Sequence, residues 1–552
     1  MNERARWLTM LAVAGLALAA SANSIGNGFA YDDVALILTD ARVHSWSGWT
    51  RDFAQTYWPE GGDGYRPLTI LAWRAQWAAG GGSPATFHAV NVLLHVATAV
   101  AVLWLAGAIL PLGAAALAGA LYAVHPVHVE AIANVVGQSE LFVALLAVVA
   151  VGLYVHARLR GAVSARRWSV IATLYGFACF FKEHAIVLPL LLVVAESTVV
   201  TDAAPLGGRL RRMRVPLLVL CLIAVGYLWA RSRVFADGLA GFRPFVVFDA
   251  LHLSTADRVL TMIGAATEWL RLLLWPARLV TQYAPTDIEV AQGPGISQLP
   301  GLLVLAGTVG LMIACWRKRP VVSFGIAWLI ITLLPTSNFL VAAGFIIAER
   351  TLLLPSVGAM IALASGLWLV AERVQLRSPV TRTAAGFALA VVLGLGIVRS
   401  VTRNRVWHDD DRLWRQGVLD APDSYLAHFR LGLHLLSHNQ ERDGEAHYRR
   451  AIDLFPHDPI VAYSLAEQLR AAGKCDAALP IYGWIFSAWP DSRRGHLGYA
   501  VCLIGKGRFD EAREQALVWI RRGGRVAVAR QVLAAAKTGR DSATAHRRGT
   551  QE

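Results

Sequence analysis

Two adjacent carboxylates, Asp32 and Asp33, follow shortly after the first apolar segment of the chain. They lie in a segment of about residues 23–85 that holds most of the early acidic residues, and ordered loops of this length are usually functional. Such a pair can supply a general base together with a partner that binds a cation or raises the pKa of the base. A solvated helix cap or turn uses the same residue types, so spacing alone leaves both interpretations open.

A second polar group, His125, His128 and Glu130, lies within six residues. Imidazole and carboxylate side chains at this density suggest a metal site, but a fourth ligand does not accompany them. An interfacial hydrogen-bond cluster that shapes a pocket explains the same residues. Three further polar residues share one face of an apolar segment and are expected to face the interior of a helix bundle rather than lipid. They are His88, Asn91 and His95.

Charged residues also stand at the junctions between apolar segments, as in Lys182-Glu183-His184 and Glu349-Arg350. Charges at such depth are costly unless they are paired or functional. A phosphate leaving group at the membrane surface would need cations, and Lys182, Arg350 and Arg66 are the candidates. Structural ion pairs between helices are the alternative explanation.

The elements that position these residues are expected to be membrane helices. The 552-residue chain is 55% hydrophobic and only 16% charged, which is too apolar for an ordinary soluble protein. Its net charge of +14 does not indicate nucleic acid, because polytopic proteins accumulate Lys and Arg on cytoplasmic turns. The five cysteines form no metal-like cluster. Cys475 and Cys502 could pair in an oxidising compartment, but we expect them to stay unpaired.

A bilayer core of about 30 Å requires about 20 apolar residues per helix, and runs of about that length recur to about residue 400. Eleven spans are predicted, near 7–22, 86–108, 111–124, 138–156, 168–181, 186–200, 215–232, 300–316, 320–335, 352–371 and 383–400. Residues 258–276 are predicted to form a re-entrant or interfacial helix, since Glu268 and Arg271 interrupt them. The first segment could alternatively be a cleaved signal peptide that ends at Ala20-Ser21-Ala22.

Lys and Arg concentrate in short cytoplasmic loops, and this rule sets the predicted orientation. With eleven spans, five basic clusters fall on one side, which places the N-terminus in the cytoplasm and the C-terminus outside. The clusters are Arg4 and Arg6; Arg158, Arg160, Arg166 and Arg167; Arg209, Arg211, Arg212 and Arg214; Arg317, Lys318 and Arg319; and Arg373, Arg377 and Arg382.

The C-terminal region has the composition of a soluble helical domain, and Pro422, Pro456 and Pro490 recur in it at a spacing of 34. That is the period of tetratricopeptide repeats. Counting back from the prolines predicts Leu431-Gly432 and Leu465-Ala466 on the first helix of two repeats, and Tyr448 and Tyr482 on the second. A third repeat, with Ala500 and Ala512, is degenerate. Such repeats stack into a concave surface for peptides or partner proteins.

Taken in order, these motifs resemble the transmembrane and tetratricopeptide-containing O-mannosyltransferases and their bacterial relatives, of the GT-C superfamily. The matching motifs are Phe29-Ala30-Tyr31-Asp32-Asp33, Tyr65-Arg66-Pro67-Leu68-Thr69, Phe87-His88 through Asn91 to His95, His125-Pro126-Val127-His128-Val129-Glu130, Lys182-Glu183-His184, Leu273-Leu274-Trp275-Pro276 with Tyr283, and Ala348-Glu349-Arg350-Thr351-Leu352-Leu353-Leu354-Pro355-Ser356. The chain departs from the family pattern at Gln138-Ser139-Glu140 and at Gln282-Tyr283-Ala284-Pro285.

The resemblance implies an all-α fold: a GT-C bundle of about eleven spans over residues 1–403, then about three repeats over 404–540 and a disordered tail over 541–552. It implies an inverting enzyme that transfers a sugar from a polyprenyl-phosphate donor to a hydroxyl, with a protein as the expected acceptor or partner. Asp32 and Asp33 would be catalytic. Residues expected to bind substrate or phosphate are Arg66, Lys182, Glu183, Glu349 and Arg350, and a divalent cation could take part.

Two other functions remain open at this stage. The chain could be a non-catalytic membrane scaffold whose repeats recruit envelope proteins, or it could be a transporter. The acidic pair in a long outer loop favours an enzyme over a scaffold, and the lack of paired, interrupted helices at the bilayer midplane disfavours a transporter. The abundance of Ala, Gly and Arg is compatible with a bacterium of high genomic G+C, so a bacterial inner membrane is the expected location.

Overall fold

A computed structural model of the chain describes residues 3–59, 64–235, 248, 251, 253–374, 379–490, 495–522 and 526–549. The described residues form helices without a β-strand, and they divide into two compact units whose main boundary lies between Asp420 and Ala421. The sequence placed this boundary at residue 403. Arg377, counted in a predicted basic cluster, lies outside the described residues.

The first unit contains fifteen described α-helices. They are α1 (Glu3–Ser21), α2 (Pro67–Gly80), α3 (Pro84–Ile109), α4 (Leu112–Val124), α5 (Val129–Ala133), α6 (Gln138–Arg158), α7 (Ala165–Phe181), α8 (Leu188–Thr198), α9 (Leu206–Val234), α10 (Thr255–Leu274), α11 (Leu299–Cys315), α12 (Pro320–Leu333), α13 (Leu353–Val374), α14 (Pro379–Asn404) and α15 (Asp410–Asp420). Proline at the start of α2, α3 and α12 fixes a helical φ where no backbone donor is needed.

Short helical turns connect several of these helices. The 3₁₀ turns are Ala22–Gly26, Trp49–Ala54, Pro126–His128, Val135–Gly137, Glu183–Val187, Ile296–Gln298, Leu334–Thr336, Glu349–Leu352 and Arg405–His408, and a π turn spans Val34–Leu38. The turns at Val135–Gly137, Glu183–Val187 and Glu349–Leu352 matter most here, because each carries or contacts predicted site residues.

All eleven predicted spans are helical, and the chain is a multi-pass membrane protein. Among the described residues, seven helices are long and apolar enough to cross a membrane, or eight if the bent pair Leu112–Val124 and Pro126–Ala133 forms one span. Three of the predicted spans, α7, α8 and α12, are shorter. Helix α10 is not among the apolar spanning helices, and its Glu268 and Arg271 form an ion pair with each other. Its interfacial or re-entrant placement stays a prediction.

Helices α3 and α6 form the centre of the first unit and run parallel to each other. Near their N-terminal ends, Gln138 of α6 donates to Asn91 of α3 at 2.8 Å. Near their C-terminal ends, Trp104 of α3 stacks on His156 of α6 with 4.5 Å between ring centroids. The predicted site residues therefore lie near the N-terminal ends of the two helices, whereas Trp104 and His156 lie near the C-terminal ends.

Glycine allows a very close approach between α12 and α13. A Cβ added to Gly325 would lie 2.4 Å from the carbonyl oxygen of Gly358, and one added to Gly358 would lie 2.3 Å from that of Gly325. Real Cβ atoms do not approach other atoms this closely, so the two backbones touch only because both residues lack a side chain.

The second unit contains α16 (Tyr425–Ser437), α17 (Glu441–Leu454), α18 (Pro459–Ala471), α19 (Cys475–Ala488), α20 (His496–Gly505), α21 (Phe509–Arg521) and α22 (Val526–Gly549). The first six form three antiparallel helix pairs, as the 34-residue period predicts. A Cβ at Gly432 would meet the ring of Tyr448 at 2.8 Å, which explains the small residue at that contact.

Two predictions for this unit are wrong. Cys475 and Cys502 form a disulfide across α19 and α20, with their Cα atoms 5.2 Å apart. The sequence could not show this, because the contact depends on how the second repeat stacks on the third. The tail predicted to be disordered from residue 541 continues as helix α22 to Gly549, and residues 550–552 lie outside the described residues.

Candidate active site

The backbone before the acidic pair is held in an unusual conformation. Tyr31 has φ +59°, in the left-handed region that non-glycine residues rarely adopt. Its backbone N–H donates to Asp410 Oδ1 at 2.7 Å, and its hydroxyl accepts from the side-chain amide of Gln282 at 2.8 Å. Strain of this kind persists only where the surroundings fix it, and it clusters at functional sites. The contacts of Tyr31 therefore set the direction in which the backbone enters Asp32 and Asp33.

Asp33 is fully buried, and it anchors the loop to the N-terminal end of α6. Its two carboxylate oxygens accept the backbone N–H groups of Val135 at 3.1 Å and Val136 at 2.9 Å. Burial raises the pKa of Asp33 to about 8, and the nearby negative charge of Asp32 acts in the same direction. Asp33 is thus mostly protonated near pH 7, and its geometry is that of a positioning group.

Asp32 is half-buried and lies within electrostatic range of two other groups of the site. Its negative charge acts on the guanidinium of Arg350 and on the phenol of Tyr57. Unlike Asp33, it keeps part of its surface accessible. The adjacent carboxylates therefore have different environments, and Asp32 is the one that a substrate could reach.

Arg66 caps the start of α2 and joins it to the turn after α7. It forms a two-point ion pair with Glu183, with Nε–Oε2 at 3.0 Å and Nη2–Oε1 at 2.7 Å. Its guanidinium also lies 4.7 Å from the ring centroid of Tyr57. Burial alone would lower the pKa of Arg66, but the Glu183 carboxylate outweighs it and the pKa is raised. Arg66 is a fixed positive charge.

Lys182 lies at the C-terminal end of α7 and pairs with Glu140 in the first turn of α6. His184 Nε2 lies 3.3 Å from the other oxygen of the same carboxylate. Burial lowers the pKa of Lys182, and the charge of Glu140 opposes that change. The charge of Lys182 also interacts with those of Arg66 and Arg350, so the three predicted cations belong to one electrostatic cluster.

Arg350 pairs with Glu130, not with its sequence neighbour. Its guanidinium contacts Glu130 Oε1, and its backbone N–H donates to Glu130 Oε2 at 2.8 Å. The guanidinium also lies 5.5 Å from the ring centroid of Phe345. Glu130 thus receives both the main chain and the side chain of Arg350, and this fixes the direction of the cation.

Glu349, also predicted to bind substrate or phosphate, contacts the segment that follows α10. Its Oε1 accepts from the backbone N–H of Val280 at 2.6 Å and from the hydroxyl of Tyr283 at 3.1 Å. The residue is only 2% exposed. It holds the segment after α10 against the turn before α13, and its predicted contact with substrate or phosphate stays a prediction.

The two histidines predicted to shape a pocket or bind metal contact helix ends. His125 Nε2 lies 3.0 Å from the carbonyl oxygen of Leu273, and His128 Nε2 lies 2.8 Å from Ser356 Oγ. Within the described residues, no three His, Cys, Asp or Glu side chains are grouped as a metal site requires. With Glu130 engaged by Arg350, this donor set does not fit a divalent cation.

Several residues that support the site gave little signal in the sequence. Gln76 and Gln138 exchange two hydrogen bonds, of 2.7 and 3.0 Å, and the side-chain amide of Gln138 also donates a hydrogen bond to Asn91. In the outer loop, Arg74 forms a buried ion pair with Asp52 at 2.8 Å. Asp52 and Arg74 are 22 positions apart without a periodic pattern to link them, so only the folded loop reveals the pair. As predicted, His88, Asn91 and His95 are buried in the bundle interior.

Comparison with known proteins shows relatives that share both parts of the chain. The tetratricopeptide-repeat family matches residues 463–525. Protein O-mannosyl-transferase Tmtc1 of Drosophila melanogaster is 27% identical, over 80% of this chain and 60% of the fly protein. Human protein O-mannosyl-transferase TMTC4 is 26% identical, over 77% and 63%. Drosophila Tmtc2 is 31% identical, over 58% and 34%.

Among solved structures, the archaeal oligosaccharyltransferase AglB from Archaeoglobus fulgidus, in complex with an inhibitory peptide and a dolichol-phosphate, matches 82% of this chain and 60% of its own. The TM-score is 0.40 and the identity is 14%. The chain spans about 60–63% of the length of the Tmtc1 and TMTC4 relatives. It is a distant homologue of the TMTC protein O-mannosyl-transferases and carries tetratricopeptide repeats.

Proposed function

We propose that the chain is an inverting membrane glycosyltransferase of the GT-C type. It transfers mannose or another hexose from a polyprenyl-phosphate donor to a hydroxyl group of a protein acceptor. The observation that carries the proposal is the position of Asp32, half-buried and within electrostatic range of Arg350, beside a cluster of fixed cations. Distant homology to the TMTC protein O-mannosyl-transferases supports it.

In the proposed reaction Asp32 removes the proton from the acceptor hydroxyl. The acceptor oxygen then forms a bond to the anomeric carbon of the donor sugar, while the bond from that carbon to the phosphate oxygen breaks. The electron pair leaves with polyprenyl phosphate, and the configuration at the sugar carbon is inverted. Asp33 positions the base through its bonds to Val135 and Val136.

Arg66, Lys182 and Arg350 are proposed to stabilise the phosphate as it leaves. Charge develops on its oxygens in the transition state, and donors that are already oriented cost little reorganisation at that moment. Each cation is held by a carboxylate of its own, namely Glu183, Glu140 and Glu130. His125, His128 and Glu130 would shape the sugar pocket through the contacts already described, and no step is routed through a metal.

We propose that eleven helices cross a bacterial inner membrane, with the N-terminus in the cytoplasm and both the site and the repeats outside. The disulfide between Cys475 and Cys502 supports this orientation, because disulfides persist in oxidising compartments such as the periplasm. Labelling the native cysteines with a membrane-impermeant thiol reagent, before and after reduction, tests it. In intact spheroplasts the two should react only after reduction. Absence of reaction even after reduction, with reaction only once the membrane is permeabilised, would place the repeats in the cytoplasm.

The repeats are proposed to hold the protein acceptor or a partner. They contain a cavity of about 490 Å³ whose lining includes Tyr463, Glu467, Arg470 and Trp519. Ending the chain after Asp420 should then impair transfer to protein more than hydrolysis of the donor. Equal loss of both activities would contradict this role.

The decisive experiment uses purified protein in nanodiscs with a panel of radiolabelled polyprenyl-phosphate sugars, and compares wild type with Asp32→Asn and Asp33→Asn. We expect transfer or hydrolysis with one donor and a loss of about 10²–10⁴-fold in Asp32→Asn, the usual contribution of a general base. The absence of turnover and of donor binding across the panel would refute the proposal.

A non-catalytic scaffold is the second candidate, and one observation favours it. Every predicted cation is already paired with a carboxylate, as a purely structural charge network also requires. A scaffold predicts that Asp32→Asn leaves the cellular function intact, whereas the enzyme predicts its loss.

A further inference from the structure

A separate cavity of about 410 Å³ lies at the opposite end of α3 and α6 from the candidate active site. Its lining includes Trp104 near the end of α3 and His156 near the end of α6. From His88 to Trp104, helix α3 rises about 24 Å, so the two sites are nearly a bilayer core apart. The cavity is not part of the proposed reaction centre.

Three arginines, Arg6, Arg160 and Arg167, line this cavity from α1, the turn after α6 and the start of α7. The positive charges of all three act on the imidazole of His156. None of the described residues that line the cavity is an Asp or a Glu. In the described part of the chain, none of the three guanidinium groups forms an ion pair with a carboxylate.

The neighbouring Arg158 shows what a structural arginine looks like at this end of the bundle. It contacts Glu196 at 2.8 Å and Asp202 at 2.7 Å, so its charge is neutralised within the protein. Three arginines that converge on one cavity without such partners repel one another. An anion in the cavity would remove that repulsion and accept several charge-assisted hydrogen bonds.

The rest of the lining is apolar and includes Met10, Leu103 and Leu153. Helix α1 carries Trp7 and Leu11 with 62% and 67% of their surface exposed, as expected of side chains that face lipid. The cavity therefore combines a cationic rim with an apolar wall beside a lipid-facing helix. A water molecule occupies about 30 Å³ in the liquid. The cavity volume of about 410 Å³ is therefore large enough for a phosphate group and the first atoms of the molecule attached to it.

We propose that this cavity binds the phosphate of an anionic membrane phospholipid, with Arg6, Arg160 and Arg167 around the phosphate and the hydrocarbon against Met10, Leu103 and Leu153. Basic pockets between membrane helices have the chemistry that anionic head groups select. A purely topological role accounts for arginines near this side but not for their convergence on a cavity. The adjacent Arg166 does not line it and is exposed.

The test uses the full-length chain, delipidated in a nonionic detergent, with binding measured by native mass spectrometry and by the shift of the unfolding temperature. The probes are phosphatidylglycerol, phosphatidylcholine, a polyprenyl phosphate and inorganic phosphate. Phosphatidylglycerol is expected to bind more tightly than the other three. Arg160→Gln and Arg167→Gln should each weaken it about tenfold, a loss of about 1.4 kcal/mol.

Arg166→Gln is the matched control, since it removes the same charge one residue away and should leave binding unchanged. Gly107→Phe keeps every charge and fills the cavity, because a Cβ at Gly107 would meet only Ala115 at 4.0 Å, so a larger side chain has room to enter. It should also weaken binding, and its unfolding temperature without lipid shows that it is folded.

Three results would overturn the proposal. Equal weakening by Arg166→Gln and Arg167→Gln would show general attraction to a basic surface. Phosphatidylcholine or inorganic phosphate binding as tightly as phosphatidylglycerol would remove the need for an anionic lipid. Tighter binding of the polyprenyl phosphate would assign the cavity to a prenyl lipid instead.

Discussion

The cations at the two ends of the α3 and α6 pair differ in whether carboxylates of the protein neutralise them. At the N-terminal end, Lys182 and Arg66 are each matched with a carboxylate in short, oriented contacts. At the C-terminal end, Arg160 and Arg167 border a cavity without carboxylates in its described lining. At the N-terminal end, carboxylates of the protein neutralise the cations. At the C-terminal end, the phosphate of the proposed lipid neutralises them.

This difference follows from the cost of isolating a charge. Removing one partner of a buried ion pair leaves the other uncompensated and is strongly destabilising, whereas exposed charges lose little when a partner is absent. Lys182 and Glu140 are nearly buried, while Arg160 is exposed. Substitutions at the two ends should therefore change the free energy of unfolding by different amounts. At the cavity the change can even have the opposite sign.

The largest effect is expected for Lys182→Met, which leaves the buried Glu140 with His184 alone. We expect a loss of about 3–5 kcal/mol in the free energy of unfolding, measured in detergent, together with loss of transfer. The double variant Lys182→Met with Glu140→Gln removes the orphaned charge and should recover most of the stability, but not the transfer. If transfer also returned, Lys182 would have only a structural role.

Asp33 should make stability depend on pH. Its pKa is raised by burial from 3.8 to about 8, so the folded state keeps a proton that the unfolded chain releases. This contribution is full below about pH 4 and is lost as the pH rises toward about 8, with a slope of at most about 1.4 kcal/mol per pH unit. Asn does not titrate, so wild type should lose stability relative to Asp33→Asn along that range. Parallel stability profiles for the two proteins would contradict the buried, protonated state.

A smaller effect is expected for Arg66→Lys, which keeps the charge but loses the planar fork that grips both oxygens of Glu183. The loss of one charge-assisted hydrogen bond corresponds to about 1.5–3 kcal/mol. Arg42→Lys removes a two-point contact to Asp40 at the rim of the outer loop and serves as a control, with stability reduced but transfer retained. Equal loss of transfer in both would show that loop stability alone governs turnover.

The smallest effect is expected for Arg167→Gln in delipidated protein. Because removal of one of three like charges relieves repulsion, the free energy of unfolding should stay within about 0.5 kcal/mol of wild type or rise slightly. A loss comparable to that of Lys182→Met would mean that Arg167 has a partner within the protein, and the contrast between the two ends would disappear.

Much of the membrane part could be predicted because its signals are local. Apolar length alone located all eleven helices, and the 34-residue period located three helix pairs. The sequence also named Lys182, Glu183, Arg350 and Arg66 as charged residues at helix junctions, since charge in an apolar context is visible without a structure.

What could not be predicted is which residues meet. Glu349 and Arg350 are neighbours in sequence, but they face different partners 69 and 220 positions away, Val280 and Glu130. The disulfide and the left-handed Tyr31 have the same origin, because each depends on contacts between distant segments. The residue type shows that a buried charge needs a partner, and only the packed structure shows which residue that partner is.

The contact between Gly325 and Gly358 gives the site a weak point far from any charge. Helix α13 begins three residues after Arg350, and Gly358 lies about 7.5 Å further along the helix axis. A methyl group at either glycine would push α12 and α13 apart and tilt the segment that carries Arg350 away from Glu130. Loss-of-function alleles of this protein can therefore arise at glycines that contact neither substrate nor ion pair, and such alleles would mimic catalytic mutants in a genetic screen.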